Sequence, residues 1–211
     1  MTIGKVGTGT FLIALALVLL TEMAANLAVL SKMASPAMIM GVIRVLQIIF
    51  LLQIVASREH DLGSLGLATD QIGPGLTRGL IWSLAFGLVV GIVSAILFFA
   101  GINPLKLLRV PLPKSLWDII SFILLRGLIG PVAEEIFFRG ILYGFLRRWG
   151  IFPALFLSTL AFVCAHPAVG LIQMTGGLLF AVAYEGEKKL MVPILIHVLG
   201  NMAIFSVSAL T

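Results

Sequence analysis

Residues 11–30, FLIALALVLLTEMAANLAVL, contain a single charged side chain, Glu22. A helix that crosses a bilayer needs about 20 consecutive apolar residues, which is the length of this segment. A signal peptide has an apolar core of about 7–15 residues and a small-residue cleavage pattern after it, and this segment shows neither feature. We therefore interpret residues 11–30 as a retained membrane span.

The rest of the chain has the same apolar character. Of its 211 residues, 60% are hydrophobic and 11% are charged, whereas soluble domains carry about 25% charged residues. Disordered chains are excluded because they have low hydrophobicity. The composition predicts a multi-pass membrane protein with the lipid bilayer as a partner. The net charge of +5 is interpreted as loop cations that set topology, and nucleic-acid binding is not expected.

Helix-breaking residues divide the chain into eight apolar runs. We predict an all-α bundle of about eight transmembrane helices in one membrane domain, residues 1–211, with smooth spans in residues 1–100 and most polar positions in residues 116–210. Residues 57–78 are predicted to form an irregular or interfacial loop. The predicted helices are Phe11–Leu30, Pro36–Ala56, Leu80–Ala100, Leu116–Gly130, Val132–Trp149, Phe152–His166, Val169–Glu185 and Leu190–Leu210.

Two charged residues lie at matching depth in the first two predicted spans. Glu22 is eight positions before Leu30, and Arg44 is eight positions after Pro36. Antiparallel packing of these helices would bring the two side chains together. We expect a structural ion pair rather than a catalytic site.

The segment Gly130-Pro131-Val132-Ala133-Glu134-Glu135-Ile136-Phe137-Phe138-Arg139 places adjacent carboxylates in a span, about 100° apart on a helix. Glu135 and Arg139 stand at i and i+4, which suits an ion pair. Glu134 faces elsewhere and is a candidate general base or acid. The alternative at this point is that Arg126 neutralises Glu134 as a structural partner.

Further polar residues lie later in the chain. His166 ends one predicted span, and His197 and Asn201 share a face of the last one at i and i+4. With Glu134 they could supply a base, an orienting imidazole and oxyanion donors for hydrolysis by water. Glu134, His166 and His197 also form a plausible zinc set, although the H-E-x-x-H pattern is absent. Cys164 is the single cysteine, so no intramolecular disulfide can form.

Three motifs in residues 116–210 resemble those of the CPBP family, the CAAX prenyl protease 2 and bacteriocin-processing enzymes also called Abi. Glu134-Glu135 with Arg139 resembles EExxxR, Phe162 with His166 resembles FxxxH, and His197 with Asn201 resembles HxxxN. The resemblance implies a glutamic-type intramembrane endopeptidase with a catalytic core in residues 116–210 and accessory spans in residues 1–100.

The resemblance also implies a role for each motif residue. Glu134 would activate a water, His166 would assist it, and His197 and Asn201 would stabilise the oxyanion. Glu135, Arg139 and Phe162 would support the site. We expect no cofactor, with zinc on Glu134, His166 and His197 as the alternative.

The expected substrate is a membrane-associated protein or peptide of unspecified sequence. One alternative function is a catalytically idle membrane scaffold or immunity protein that keeps the motifs for packing. Another is a transporter, because buried Glu and His residues also form proton relays. Transporters usually show repeated halves, and none is visible in this sequence.

Loop charges predict the orientation of the site. With eight spans, the more basic side is cytoplasmic, both termini lie outside, and the site opens away from the cytoplasm, with the plasma membrane as the expected location. The cations assigned to the cytoplasmic side are Lys32, Lys106, Arg109, Lys114, Arg147, Arg148, Lys188 and Lys189, and those assigned to the other side are Lys5, Arg58 and Arg78.

Overall fold

A computed structural model describes residues 6–32, 34–59, 61–166 and 170–210, and within these residues the chain forms helices without any strand. The all-α prediction is therefore confirmed. A 3₁₀ turn, Leu62–Leu65, precedes the third helix. The helices are α1 (Thr8–Leu30), α2 (Pro36–Arg58), α3 (Thr69–Phe99), the short α4 (Leu105–Leu108), α5 (Leu116–Trp149), α6 (Ile151–Cys164), α7 (Leu171–Glu187) and α8 (Met191–Leu210).

The helices have the apolar surfaces of a membrane bundle. Within the described residues, five segments are long and apolar enough to cross a bilayer. Large side chains such as Leu84 and Phe99 are exposed on the outside, whereas Tyr143, Tyr184 and Leu190 are fully buried between α5, α7 and α8. The chain is an integral membrane protein. The five segments are Thr8–Leu30, Pro36–Arg58, Leu62–Phe99, Leu116–Trp149 and Met191–Leu210.

The predicted break at Gly130-Pro131 is wrong, because α5 runs through it as one helix of 34 residues. A π-helical segment, Ile123–Ile129, directly precedes the proline, and the Gly130 N–H bonds to the Leu125 carbonyl five residues back. The wider turn accommodates a residue that has no N–H and that would clash within an ideal α-helix. A Cβ on Gly130 would lie 2.8 Å from the Leu125 oxygen, so glycine fits this turn. The two predicted spans on either side are therefore a single span.

Other predicted boundaries also shift. α3 begins at Thr69 rather than Leu80, and α2 continues to Arg58, so much of the predicted loop in residues 57–78 is helical. The Ala68 N–H donates to the Gln71 side chain at 3.0 Å and caps the start of α3. Pro167 and the predicted helix start at Val169 lie outside the described residues.

Contacts between the helix ends define two ends of the bundle. We call the end where α5 finishes the basic end and the opposite one the distal end. Arg148 donates to the Val6 carbonyl at 2.6 Å, so α1 starts at the basic end. The Val110 N–H donates to Ser208 at 3.0 Å, so α8 finishes at the distal end. The expectation that both termini lie on one side is wrong, because α5 does not turn back at Pro131.

The distribution of cations between the two ends of the bundle therefore differs from the predicted one. The side assigned from the sequence was wrong for Arg147, Arg148, Lys188 and Lys189, and Lys5 lies outside the described residues. The basic end carries Arg58, Arg78, Arg147, Arg148, Lys188 and Lys189, and the distal end carries Lys32, Lys106, Arg109 and Lys114.

α6 and α7 are too short to reach the distal surface. α6 begins at the basic end directly after α5 and has 14 residues, which is about 21 Å at 1.5 Å per residue. The hydrocarbon core of a bilayer is about 30 Å thick. The C-terminal end of α6 therefore lies below the distal surface, and the longer α5 and α8 extend past it.

The expected pair between Glu22 and Arg44 is confirmed, since the two side chains form an ion pair between α1 and α2. Gln47, which is buried, extends this pair into a network. Its amide donates to Thr21 at 2.8 Å and to Glu22 at 3.1 Å. The network locks the first helical hairpin at mid-membrane depth.

Candidate active site

α5 presents the two adjacent carboxylates to different surroundings. A regular α-helical turn, Gly130–Glu135, lies between the π-helical segments Ile123–Ile129 and Ile136–Tyr143. The Glu135 side chain is fully buried, whereas the Glu134 side chain keeps 20% of its surface exposed. Glu135 therefore lies in a dry environment, and Glu134 lies in a partly accessible one.

Glu135 is the centre of a buried charge network. Its Oε1 accepts a hydrogen bond from Arg139 Nη1 at 3.1 Å, which confirms the ion pair expected from the i, i+4 spacing. Arg139 Nη2 donates to the Gly177 carbonyl of α7 at 3.0 Å. The same Oε1 also lies 2.8 Å from His197 Nδ1. Sequence reasoning missed this contact with α8, because it depends on the packing of helices 62 residues apart in the chain.

Both histidines turn Nε2 toward Glu134. His166 Nδ1 lies 2.8 Å from the Phe162 carbonyl, which can only accept, so Nδ1 carries the proton. His166 Nε2 is 3.7 Å and His197 Nε2 is 3.9 Å from Glu134 Oε2. These separations are too long for direct hydrogen bonds but suit a bridging water. The structure thus brings together three of the four residues expected to share a site.

Asn201 lies one turn beyond His197 on α8 and contacts a different group. Its Nδ2 donates to the Arg126 carbonyl of α5 at 2.8 Å. An amide has two N–H donors, so one remains available after this bond forms. Arg126 does not form an ion pair with Glu134 within the described residues, so the structural alternative considered for that carboxylate is wrong.

Aromatic rings hold the histidines and Arg139 in place. The Phe162 ring centroid is 4.3 Å from the Arg139 guanidinium carbon and 4.5 Å from the His166 ring. The Phe180 ring stacks on His197 at 4.6 Å with an interplanar angle of 22°. The support expected from Phe162 thus has a direct structural basis, and a guanidinium over a ring face is stabilised by the ring quadrupole.

Phe180 and Gly177 are contacts that sequence reasoning missed. A Cβ on Gly177 would lie 3.1 Å from the Phe162 ring and 3.7 Å from Arg139 Nη2. Glycine therefore allows α7 to approach α5 and α6 closely. The Gly176-Gly177 pair inside an apolar helix was the one sequence signal of this close approach.

The spacing of Glu134, His166 and His197 does not fit the zinc alternative. In the described part of the chain, no group of three or more His, Cys, Asp and Glu side chains is arranged to hold a metal ion. The separations of 3.7 and 3.9 Å from Glu134 Oε2 exceed the roughly 3.3 Å between two ligands about 2.0–2.1 Å from one tetrahedral zinc.

Comparison with known proteins gives a family match over the segment that contains these residues. Residues 116–203 match the family model described as type II CAAX prenyl endopeptidase Rce1-like. This match includes all three motifs and confirms the resemblance to the CPBP family over these residues. No solved structure matches the chain significantly.

Two curated bacterial proteins are similar to part of the chain. One is the membrane-embedded CAAX protease MroQ of Staphylococcus aureus (strain USA300), 36% identical over 89 residues, which are 38% of this chain and 36% of that protein. The other is the putative membrane peptidase YdiL of Bacillus subtilis (strain 168), 33% identical over 95 residues, which are 42% of this chain and 39% of that protein. The matches thus span less than half of each relative.

Proposed function

We propose that this chain, whose residues 116–203 match the type II CAAX prenyl endopeptidase family, is an intramembrane endopeptidase that uses a glutamate-activated water. Its substrate is a peptide bond in a membrane-associated protein or peptide. The observation that carries the proposal is the placement of Glu134 Oε2 within 3.7 and 3.9 Å of two imidazole Nε2 atoms. One bridging water can contact all three atoms, since each separation is within the reach of a shared hydrogen-bond partner.

Glu134 is the proposed general base. It accepts a proton from the attacking water while the water oxygen bonds to the carbonyl carbon, and it later gives this proton to the leaving amine as the C–N bond breaks. His166 orients the water through Nε2, because its Nδ1 proton is held by the Phe162 carbonyl. The partial exposure of Glu134 and His166 supports access of water to the site.

His197 and Asn201 are the proposed oxyanion donors. His197 Nδ1 faces the Glu135 carboxylate at 2.8 Å, and an imidazole with a hydrogen on each nitrogen can donate to Glu135 and to the oxyanion at the same time. Donors aimed at the developing oxyanion lower the barrier of acyl transfer. Arg139 holds Glu135 in position through their ion pair, so Glu135 and Arg139 act through His197 rather than on the substrate.

We further propose that the site opens toward the distal end and away from the cytoplasm. The 14-residue length of α6 supports this direction, because its end near His166 stops short of the distal surface and is accessible from that side. By the positive-inside rule the basic end is cytoplasmic, since six cations lie at or near the helix ends on this side against four on the distal side. In a plasma membrane, this orientation favours exported or membrane-anchored substrates.

Comparative proteomics of membrane-protein C-termini tests the proposed function. We expect truncated C-termini in cells that express the wild-type protein and their full-length forms in cells that express Glu134→Gln. Glu187→Gln is the matched control, because it makes the same chemical change in a partly exposed ion pair outside the site. Identical C-termini for wild type and Glu134→Gln would favour an idle scaffold or a transporter instead.

A further inference from the structure

Arg126 is a cation in the membrane-spanning part of α5 with no carboxylate partner among the described residues. Its side chain is exposed, and its guanidinium carbon lies 5.4 Å from the centroid of the Phe122 ring. Placing an arginine in a membrane span is energetically unfavourable unless water or a partner group solvates the charge. Such a residue usually faces a water-filled cavity and marks a functional path.

The position of Arg126 relates it directly to the proposed active site. Its carbonyl accepts the 2.8 Å hydrogen bond from Asn201, which lies near the midpoint of α8. The Arg126 backbone therefore lies well inside the membrane-spanning part of the bundle, and its guanidinium lies over Phe122, one turn nearer the distal end. Arg126 lies on the distal side of His197. The proposed site opens in this direction, because α6 ends and α7 begins short of the distal surface.

Aromatic residues form a platform around this cation. The Phe122 ring lies under the guanidinium and 4.7 Å from the Phe205 ring of α8. We call the group Phe122, Arg126, Asn201 and Phe205 the vestibule. A guanidinium supported on a ring face still presents its N–H groups at the edge, where a carboxylate can accept two parallel hydrogen bonds.

We propose that Arg126 binds a carboxylate of the peptide substrate in the vestibule and thereby sets which peptide bond reaches Glu134. This inference rests on the proposed endopeptidase function. Two peptide groups supply this chemistry: the C-terminal carboxylate and the side chain of an Asp or Glu residue near the scissile bond. The hydrogen bond from Asn201, a proposed oxyanion donor, to the Arg126 carbonyl places Arg126 beside the site and favours a substrate group over a lipid phosphate.

The inference can be tested with internally quenched apolar peptides and the purified full-length protein in detergent micelles. The peptides form matched pairs that differ in one group, either a free against an amidated C-terminus or Glu against Gln at each position. The quantity measured is kcat/KM for wild type, Arg126→Gln, Arg126→Lys and Glu134→Gln. Arg109→Gln is the control, because it removes an exposed arginine at the distal end outside the vestibule.

For wild type we expect the acidic member of one type of pair to be cleaved roughly 10-fold to 100-fold more efficiently than its neutral member, mainly through KM. Arg126→Gln should remove this preference, Arg126→Lys should retain part of it, and Arg109→Gln should leave it unchanged. The pair that shows the preference identifies the source of the carboxylate.

Three outcomes would overturn the inference. Wild type could cleave acidic and neutral peptides equally, which decides the matter even if Arg126→Gln does not fold. Arg126→Gln could keep the wild-type preference. It could also lower cleavage of both peptides equally, as loss of a lipid-phosphate or structural contact would. Failure of the proposed function gives a different result, namely peptide cleavage that is absent in wild type or unaffected by Glu134→Gln.

Discussion

Replacing Glu135 with glutamine removes a charge from the centre of the buried network while keeping the shape of the side chain. Glu135 and Arg139 are both fully buried, so this change leaves the guanidinium without its counter-ion. Breaking a buried pair by removing one partner costs about 3–5 kcal/mol. Arg139 keeps its contacts with the Gly177 carbonyl at 3.0 Å and the Phe162 ring at 4.3 Å. Because these contacts still stabilise the guanidinium, we expect a loss of stability at the lower limit of this range, about 3 kcal/mol.

This loss can be measured as a shift in melting temperature of the purified protein in detergent. For a chain of this size, 1 kcal/mol corresponds to about 2–4 °C, so Glu135→Gln should melt about 6–12 °C below wild type. Glu187→Gln is the matched control. Glu187 lies 3.6 Å from Arg78, and the Arg78 side chain is 57% exposed. An exposed pair contributes about 0–1 kcal/mol, so the control should melt within a few degrees of wild type.

The double variant Glu135→Gln/Arg139→Met separates an unpaired charge from general loss of packing. It removes both charges, and we expect it to recover about 1 kcal/mol or more relative to Glu135→Gln alone. A Glu135→Gln protein that melts within about 2 °C of wild type, or a double variant less stable than Glu135→Gln alone, would contradict this prediction.

Three further predictions concern the first hairpin, the metal and the orientation. Single neutral substitutions of Glu22 or Arg44 should lower stability by less than the about 3–5 kcal/mol lost at a fully buried pair, and should therefore lower abundance. The charge swap should partly restore abundance, and wild-type abundance in both single variants would contradict the role of this pair. Peptide cleavage should survive a strong chelator, whereas its abolition and recovery with zinc would contradict the metal-free mechanism. In a Cys164→Ser background, an impermeant thiol reagent added outside should label Lys114→Cys and not Trp149→Cys, and the reverse pattern would contradict the proposed orientation.

The fold class and several polar contacts followed from local sequence properties. Apolar runs predicted an all-α membrane protein, and spacing predicted the Glu135–Arg139 and Glu22–Arg44 pairs. Such pairs are predictable because helical periodicity or matched depth in one hairpin determines them. The separation of Glu134 from Glu135 into different environments followed in the same way from the 100° turn per residue.

The course of α5 could not be read from the sequence, because Gly130-Pro131 usually ends a helix. The π-helical turn that accommodates Pro131 depends on packing around Leu125 and Gly130 rather than on a residue pattern. This one difference moved every later helix to the other side in the predicted topology. The His197–Glu135 bond and the stacking of Phe180 on His197 were also missed, since each joins helices distant in the chain.

The central claim is that Glu134 activates the water that cleaves the peptide bond, and the catalytic rate of Glu134→Gln tests it most directly. Glutamine keeps the size of the side chain but cannot accept the proton, so the melting temperature should stay close to that of wild type. General base catalysis contributes about 10²–10⁴-fold, and we expect kcat to fall by at least this lower bound. A Glu134→Gln protein that folds normally and keeps more than a tenth of the wild-type kcat would contradict the account.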